Sequence, residues 1–598
     1  MGRAAAMAEV RAYLLVPAGG AGEGMGHLAR CLSLSEQLGP RVTFLTRHLD
    51  SAAKRLLAER LSLRGKRRKA ATLSRLPPRR HWDVIVVDAR GIDARELAEL
   101  SKHGLVACID EGGEARDLAS FTIDSLPGLP ERTTANLADP SFLILPSRVR
   151  ASPPESFRKI LLSLGGEDRE HLGEKLARSM VEAGVCEPRN LTVVEGPLAG
   201  PRTWPAGVSV MRSPAGLARL LGRHDLLITH FGMAAFEALA VGIPAVLFNP
   251  TRYHAKLGAA AGFPMIGTVT PRLGELQSHL GDPARLSARV ELFNESLGTE
   301  RRRKLARVLG RLKQVGGAAC SACGREGNRV IARFADRTYR RCAACGIVSL
   351  ESFIGERRKY GAGYFSSEYK AQYGRTYLED FPAIRAASAP RVVILHRLLG
   401  RHADGVVLDV GCAYGPFLSA LDDAGLSGFG LDISAGAVAH VRKNLGFPAL
   451  RAGFEVVERK RLPRRIAAVT LWYVIEHFPD IGSVLAKAAA LLPPGGVLAF
   501  STPNGRGVSA RRDFRQFLLR SPGDHFVVLS PHGLRRILAP FGFSLQRVRI
   551  TGHHPERFPG ALGSASRRWK AAARALRAVS ILLGLGDTFE AYAVKGEA

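Results

Sequence analysis

Three groups of residues in this chain are of types and spacings that do chemistry. The first is a pair of Cys-x-x-Cys motifs, Cys320/Cys323 and Cys342/Cys345. That spacing is the one used by two knuckles sharing a single tetrahedral zinc. Four thiolates fill the shell and leave no open position, so the expected zinc is structural. The second group starts in VVLDVGCAYGPFLSAL, which reads as a strand, a glycine turn and a helix. Gly411 and Gly415 let the backbone pass close to a bound cofactor where a side chain would clash. Asp409 lies in that strand, and Asp432, in GFGLDIS at the end of the next one, is placed to bond ribose hydroxyls. A dehydrogenase would carry a similar acid. Glu476 and His477, in LWYVIEHFPD, follow a further strand at the carboxyl edge where ligands bind. Glu476 is expected beside the cofactor. His477 is a candidate general base for a hydroxyl acceptor, with a pocket-shaping role as the alternative, and His525 is a second candidate of that kind. The third group lies in PAGGAGEGMGHLARCLSLSEQL, a glycine-rich turn entering a helix, where backbone N–H groups can hold an anion. Gly26, His27 and Arg30 put an imidazole and a guanidinium at that helix start.

These groups need elements to carry them. From Val10 to about Gln314, short β-branched runs alternate with helical stretches, the pattern of parallel α/β units. One series is AYLLVPA, RVTFLTR, WDVIVVDA, GLVACID and FLILP. A second is KILLSLGG, NLTVVEG, VSVMR, DLLITH and PAVLFNP. The expected organisation is two Rossmann-like domains, residues 10–150 and 156–315, divided at RASPPESFR. A zinc ribbon is expected over 318–350, then an aromatic-rich bridge, KYGAGYFSSEYKAQYGRTYLEDF. A third α/β series over 355–598 runs VVLDVG, SGFGLDI, AAVTLWYV, GVLAFSTP, SLQRVRI and FEAYAVK. The fold class is therefore α/β multidomain.

Composition bounds the reading. At 598 residues the chain is too long for one hydrophobic core. It is 46% apolar and 23% charged, inside the globular range. No apolar run approaches the ~20 residues that span a bilayer, and Glu9 and Arg11 interrupt the first apolar stretch. The expectation is a cytoplasmic protein. The net charge of +31 invites a nucleic-acid partner. Its Arg residues are spread over every segment, however, so nucleic acid is not the expected partner. The segment ALGSASRRWKAAARALRAVSILLGLG places basic residues beside apolar ones. It could lie on an anionic membrane at its inner face or pack as an ordinary amphipathic helix.

The segments GMGHLARCLSLSEQL, DVIVVDAR, ACIDEGGEAR, ILLSLGGED and ITHFGMAAFEALAVGIPAVLF resemble the glycosyltransferase-B-like UDP-sugar hydrolases of pseudaminic-acid biosynthesis. The resemblance covers roughly residues 10–315. It implies a glycosyltransferase-B-like arrangement of two Rossmann-like halves, with His27 as the catalytic histidine and Glu237 as the acid on the nucleotide ribose. It also implies that Gly165 and Gly166 face the pyrophosphate, and that Gly26 and Arg30 lie at the substrate. The chain departs from that family at His230-Phe231-Gly232-Met233 and at TRYHAKLGAA. Asp409, Gly411 and Gly415 match the first motif of class I S-adenosylmethionine-dependent methyltransferases. LLPPGGVLAFSTPNG and GDHFVVLSPHGLRRILAPFGF follow in that family's order, with Ala413 where many members carry glycine. RCAACGIVSL resembles the ribbon that often precedes such domains.

Together these imply a bifunctional, multifunctional enzyme of surface-sugar or polysaccharide biosynthesis. Its cofactors would be S-adenosylmethionine and a structural zinc, and its substrate a UDP-activated amino sugar or glycan. The alternatives are a methyltransferase beside a catalytically silent nucleotide-sugar-binding module, and a nucleic-acid methyltransferase.

Overall fold

The computed structural model describes residues 11–20, 25–63, 70–127, 134–166, 168, 170–196, 199–212, 217–297, 303–353, 365, 367 and 369–597. Part of the first glycine-rich turn, 21–24, and part of the aromatic bridge, 354–364, lie outside them. The chain forms two compact units, Met1–Leu312 and Lys313–Ala598.

The first unit holds two parallel sheets of the same design. In the first, Tyr13–Pro17 sits centrally between Val42–Leu45 and Val84–Asp88, with Leu105–Ile109, Phe121–Asp124 and Leu137–Ala138 continuing on one side and Ala71–Leu73 closing the other. The second repeats this around Ile160–Ser163, flanked by Leu191–Glu195 and Leu226–Thr229, and then Ala245–Asn249 and Met265–Thr268. Strand order therefore reverses beside the first strand of each sheet, at the switch point where ligands bind in open α/β folds. The central strands are buried on both faces, which is why they read as unbroken Val/Ile/Leu runs. FLILP, expected as a strand, is not one: a short 3-10 turn, Pro140–Phe142, leads into it. Leu143 and Leu145 instead cross over to pack in the core of the second half. The edge positions fall to Phe121–Asp124 and the two-residue Leu137–Ala138. Helix Lys304–Arg311 returns to pack on helix Gly26–Gln37 of the first half, and Arg11 ties to Leu312 O at 2.6 Å. The two halves thus share one compact unit.

In the second unit a seven-stranded sheet runs Ala449–Arg451, Gly428–Asp432, Val406–Val410, Ile466–Trp472, Val497–Pro503, Thr588–Lys595, Phe543–Thr551. Thr588–Lys595 is inserted antiparallel between its two neighbours. A capping box of Thr376 and Glu379 starts the long helix Tyr377–Leu399.

The ribbon expected as a separate segment is continuous with this unit. Arg329–Phe334, Arg337–Arg341 and Val348–Ser352 form an antiparallel sheet whose fourth strand, Val527–Val528, comes from the far end of the chain. Cys320, Cys342, Cys345 and Ile347 share one core with Leu408, Val469, Leu485 and Phe500. The reason is burial: alone, a ribbon this small could not cover its own apolar face. No helix among the described residues is long and apolar enough to cross a membrane.

Candidate functional site

In the second unit, the carboxyl edge of the sheet gathers the expected cofactor residues. Asp409 is buried, accepts from Thr470 Oγ1 at 2.7 Å, and is pushed up to about 7 by burial, against the opposing pull of Thr470 and Arg391. Gly411 follows with φ +72°, and a Cβ there would come 2.4 Å from Val474 Cγ2. The glycine is required by the protein's own packing as well as by ligand approach. Asp432 accepts from Ala413 N at 2.9 Å and Ser434 N at 2.7 Å, so it ties the glycine turn to the start of the following helix. Each of its oxygens keeps a second lone pair for a ribose hydroxyl. Ala413 itself sits at φ +47°, which explains why glycine suits that position.

Glu476 is fully buried and pushed up to about 7 by burial. Its Oε2 has no hydrogen-bond partner among the described residues. A buried polar atom left open in this way leaves a place that a ligand or a water molecule can occupy. Beside it, His477 Nδ1 lies 3.2 Å from Asp524 O and 3.3 Å from Asp524 Oδ2. Burial alone would lower this imidazole, but the Asp524 hydrogen bond and the Glu476 and Asp524 charges outweigh it and hold the group raised. His525 packs edge-on against His477, ring centres 4.7 Å apart. Donor atoms of Glu476, His477 and His525 all lie within 4.8 Å of one another, close enough to share a cation. Sequence reasoning missed Asp524, Thr470 and Val474. Asp524 had a signal, its place in GDHF beside His525.

The same wall is braced by the cysteine segment. Cys320 Sγ lies 3.5 Å from Cys345 Sγ, and Cys323 Sγ 3.6 Å from Cys342 Sγ. All four fall within 4.8 Å of one another. Bonds of ~2.3 Å from a central tetrahedral zinc need sulfur separations of ~3.8 Å, so the four fit that ion. Gly324 N donates to Cys320 O and Gly346 N to Cys342 O, closing two matching turns with both glycines at positive φ. The first turn meets helix Ile481–Leu491 through Gly482 N donating to Ser321 O at 2.7 Å. The ribbon strand holds the segment after Asp524 through Leu350 N donating to Phe526 O, and Phe526 N in turn donates to Glu476 O. The four-cysteine segment and His477 are thus joined by a short run of backbone bonds.

In the first unit, His27 Nδ1 meets Asp88 Oδ1 at 2.6 Å. Asp88, at the end of Val84–Asp88, is wholly buried, and Arg30 grips it with Nε and Nη2, both at 2.6 Å. Burial would raise Asp88, but Arg30 and His27 overcome it and press it down to about 2. An ionised Asp88 places the imidazole proton on Nδ1 and leaves Nε2 as a base. Arg30 was expected at the substrate. It is instead buried, donating also to Asp110 at 2.5 Å and Ser125 at 3.0 Å. Its donors are engaged inside the fold, so it positions Asp88 and does not face the cleft. Asp88 and Asp110 were missed, although both close buried strand runs.

Two of the glycines expected at the substrate each lie against a methionine of the other half. Gly166 faces Met25 and Gly26 faces Met233, so the first helix start lies against the glycine turn of the second half. Gly165, at φ +81°, could carry no side chain, since a Cβ would come 2.4 Å from His230 Nε2. Glu237 sits on helix Met233–Val241 with no hydrogen-bond partner among the described residues, and burial raises it. His230 and His254, in the two segments that depart from the resembled family, meet edge to face at 5.5 Å. Burial, His230 and Arg90 press His254 down to about 4.

The strand order with its inserted antiparallel strand, the glycine turn after the first strand and the acid ending the second define a class of domain. The C-terminal unit carries a class I S-adenosylmethionine-dependent methyltransferase domain. Residues 387–548 match the family described as "Methyltransferase domain". Among curated relatives, the ubiquinone biosynthesis O-methyltransferase of Thiobacillus denitrificans is 33% identical over 132 residues, 21% of this chain and 54% of the relative. Those of Methylococcus capsulatus and Bordetella avium are each 30% identical, over 23% and 26% of this chain and 55% and 63% of theirs. The chain thus spans little more than half the length of these relatives. Among solved structures, a SAM-dependent methyltransferase from Archaeoglobus fulgidus has a TM-score of 0.28 at 15% identity, covering 38% of this chain and 98% of that one. The magnesium protoporphyrin IX methyltransferase from Synechocystis with bound SAH has 0.28 at 16%, covering 39% and 97%.

Proposed function

We propose that the second unit is an O-methyltransferase in which His477 is the general base. The observation that carries this is the buried, open Glu476 beside a His477 oriented by Asp524, at the same sheet edge as Asp432. The printed names of the curated relatives support oxygen as the acceptor atom. S-adenosylmethionine supplies an electrophilic methyl group when bound. Asp432 would hold its ribose hydroxyls, and the Gly411–Gly415 turn would admit its amino-acid end. With Nδ1 turned to Asp524, His477 offers Nε2 to the acceptor hydroxyl. As the oxygen attacks the methyl carbon and the carbon–sulfur bond breaks, the proton passes to Nε2. The four cysteines would hold a zinc that takes no part in this chemistry.

The test is S-adenosylhomocysteine formation by the full chain with hydroxylated acceptors. His477→Ala should lower the rate ~100-fold or more, the usual contribution of a positioned base. Because His477 is held raised, the rate should climb with pH through a value above its ordinary ~6.5. An unchanged rate in the variant would overturn the assignment.

For the first unit, the His27–Asp88 pair favours a nucleotide-sugar site that cleaves or transfers a UDP-linked amino sugar. His27 would activate water or an acceptor hydroxyl, and Glu237 would accept ribose hydroxyls. The acceptor for methylation would then be a hydroxyl of that sugar or of the glycan it enters. UDP released without an acceptor, and lost in His27→Ala, would establish hydrolysis. No release from any donor, with undiminished methylation by the variant, would favour a silent binding module.

A further inference from the structure

Two helices, Gly560–Arg568 and Lys570–Leu582, form a hairpin inserted between the strands Phe543–Thr551 and Thr588–Lys595. Its base is fixed. His553 bonds Ser580 at 2.8 Å, Leu585 O accepts from Val508 N, and Asp587 accepts from Ser509 and Arg557. The end of the second helix is not covered. Leu582 is 85% exposed, Leu583 61% and Ile581 57%, and Trp569 at the hinge is 69% exposed. Clustered exposure of large apolar groups marks a binding surface.

The charges along this helix point to the occupant. Arg567, Arg568, Lys570, Arg574 and Arg577 lie in the hairpin, and no acidic residue falls between Glu556 and Asp587. No ion pair holds Arg568, Lys570, Arg574 or Arg577 among the described residues. Their placement also works against the helix. The first turn of Lys570–Leu582 has no acid and no side-chain cap, and its last turn, where cations would be favoured, is apolar. A sequence shaped for helix stability alone would run the other way. Exposed basic groups along the second helix, with exposed apolar groups at its strand-side end and a tryptophan at the hinge, suit a helix lying along the surface of an anionic bilayer, where phosphates and acyl chains are both within reach.

We propose that this hairpin docks the protein on anionic membrane, lying along its surface with the exposed side chains of Val579, Ile581, Leu582 and Leu583 entering the interface and its Arg and Lys residues meeting lipid phosphates. The docking rests on neither catalytic reading. It has a consequence for the second: Thr588 pairs with Pro503, so the hairpin rises from the same carboxyl edge of the sheet that carries Asp432 and Glu476. An acceptor carried in the membrane would arrive beside the methylation site.

The full chain should sediment with vesicles of phosphatidylcholine containing phosphatidylglycerol and not with phosphatidylcholine alone. Ile581→Asp with Leu582→Asp, and separately Arg574→Glu with Arg577→Glu, should each weaken binding about tenfold or more, since each basic residue near such a surface contributes substantially. These positions are exposed, so the variants should keep the wild-type melting temperature. Trp569 emission should shift to the blue on binding, a change absent in Trp569→Phe. Free inorganic phosphate should not compete, whereas competition would indicate a soluble phosphate site. No vesicle binding, binding that ignores these variants, an apolar helix end that instead joins two copies of the chain, or tighter binding to RNA than to vesicles would each overturn the proposal.

Discussion

The two histidine sites of this protein solve opposite electrostatic problems. Around His27, every charge is answered inside the fold: Asp88 is gripped by Arg30, and Arg30 is answered by Asp110 in turn. Around His477, Glu476 is buried with one oxygen open among the described residues, and no Arg or Lys grips it as Arg30 grips Asp88. The first arrangement fixes a base before any ligand arrives. The second carries a stored cost that a ligand can relieve. The sign of each carboxylate's shift records the difference, Asp88 down to about 2 and Glu476 up to about 7.

Breaking the first network should have the largest effect. Asp88→Asn takes from buried Arg30 one of its two carboxylate partners and leaves Asp110 alone to hold it, and removing one member of such a pair costs up to ~3–5 kcal/mol. Hydrogen exchange should rise through residues 13–138 and stay unchanged over 406–595. Glu476→Gln should do the reverse. It should stabilise the second unit at alkaline pH while abolishing methyl transfer, read as thermal melting alongside S-adenosylhomocysteine formation.

The pH dependence should separate the units next. Asp88 is depressed when folded, so its contribution is present above the ordinary carboxylate value of ~4 and disappears as pH falls toward 2. Glu476 and Asp409 are raised when folded, so they favour the folded state below ~4 and oppose it increasingly as pH rises to about 7. Acid should therefore melt the first unit earlier, whereas the second should lose stability between about pH 4 and 7 and lose no more from these groups above that, as seen in melting curves from pH 3 to 9. The smallest effect should come from Ala413→Gly. Relieving φ +47° should stabilise the second unit by ~1 kcal/mol without altering its rate.

Much of this was legible in the sequence because it is local. The β-branched runs marked most strands, and the cysteine spacing marked four sulfurs that do converge. Asp409 lies one residue before the end of its strand, Gly411 directly after it, and Asp432 ends the next strand. What escaped depends on partners far along the chain. FLILP has the composition of a strand, and only the neighbouring half's core shows that Leu143 and Leu145 serve as packing. Asp88 looked like the end of a strand run until Arg30 and His27 met it. Arg30, at a helix start, read as a ligand group because sequence does not reveal burial. Asp524 gains its role from His477, 47 positions away.

The pairing of Val348–Ser352 with Val527–Val528 also sets where this protein can be cut. A fragment starting at residue 355 would keep every methyltransferase motif yet lose the ribbon. Val527–Val528 would become a bare sheet edge, and Leu518 and Phe526 would lose the apolar cover of Tyr339 and Leu350. Such a fragment should aggregate, and a ribbon exchanged with another protein would have to bring its matching strand along. The ribbon and the enzyme behind it are a single heritable piece.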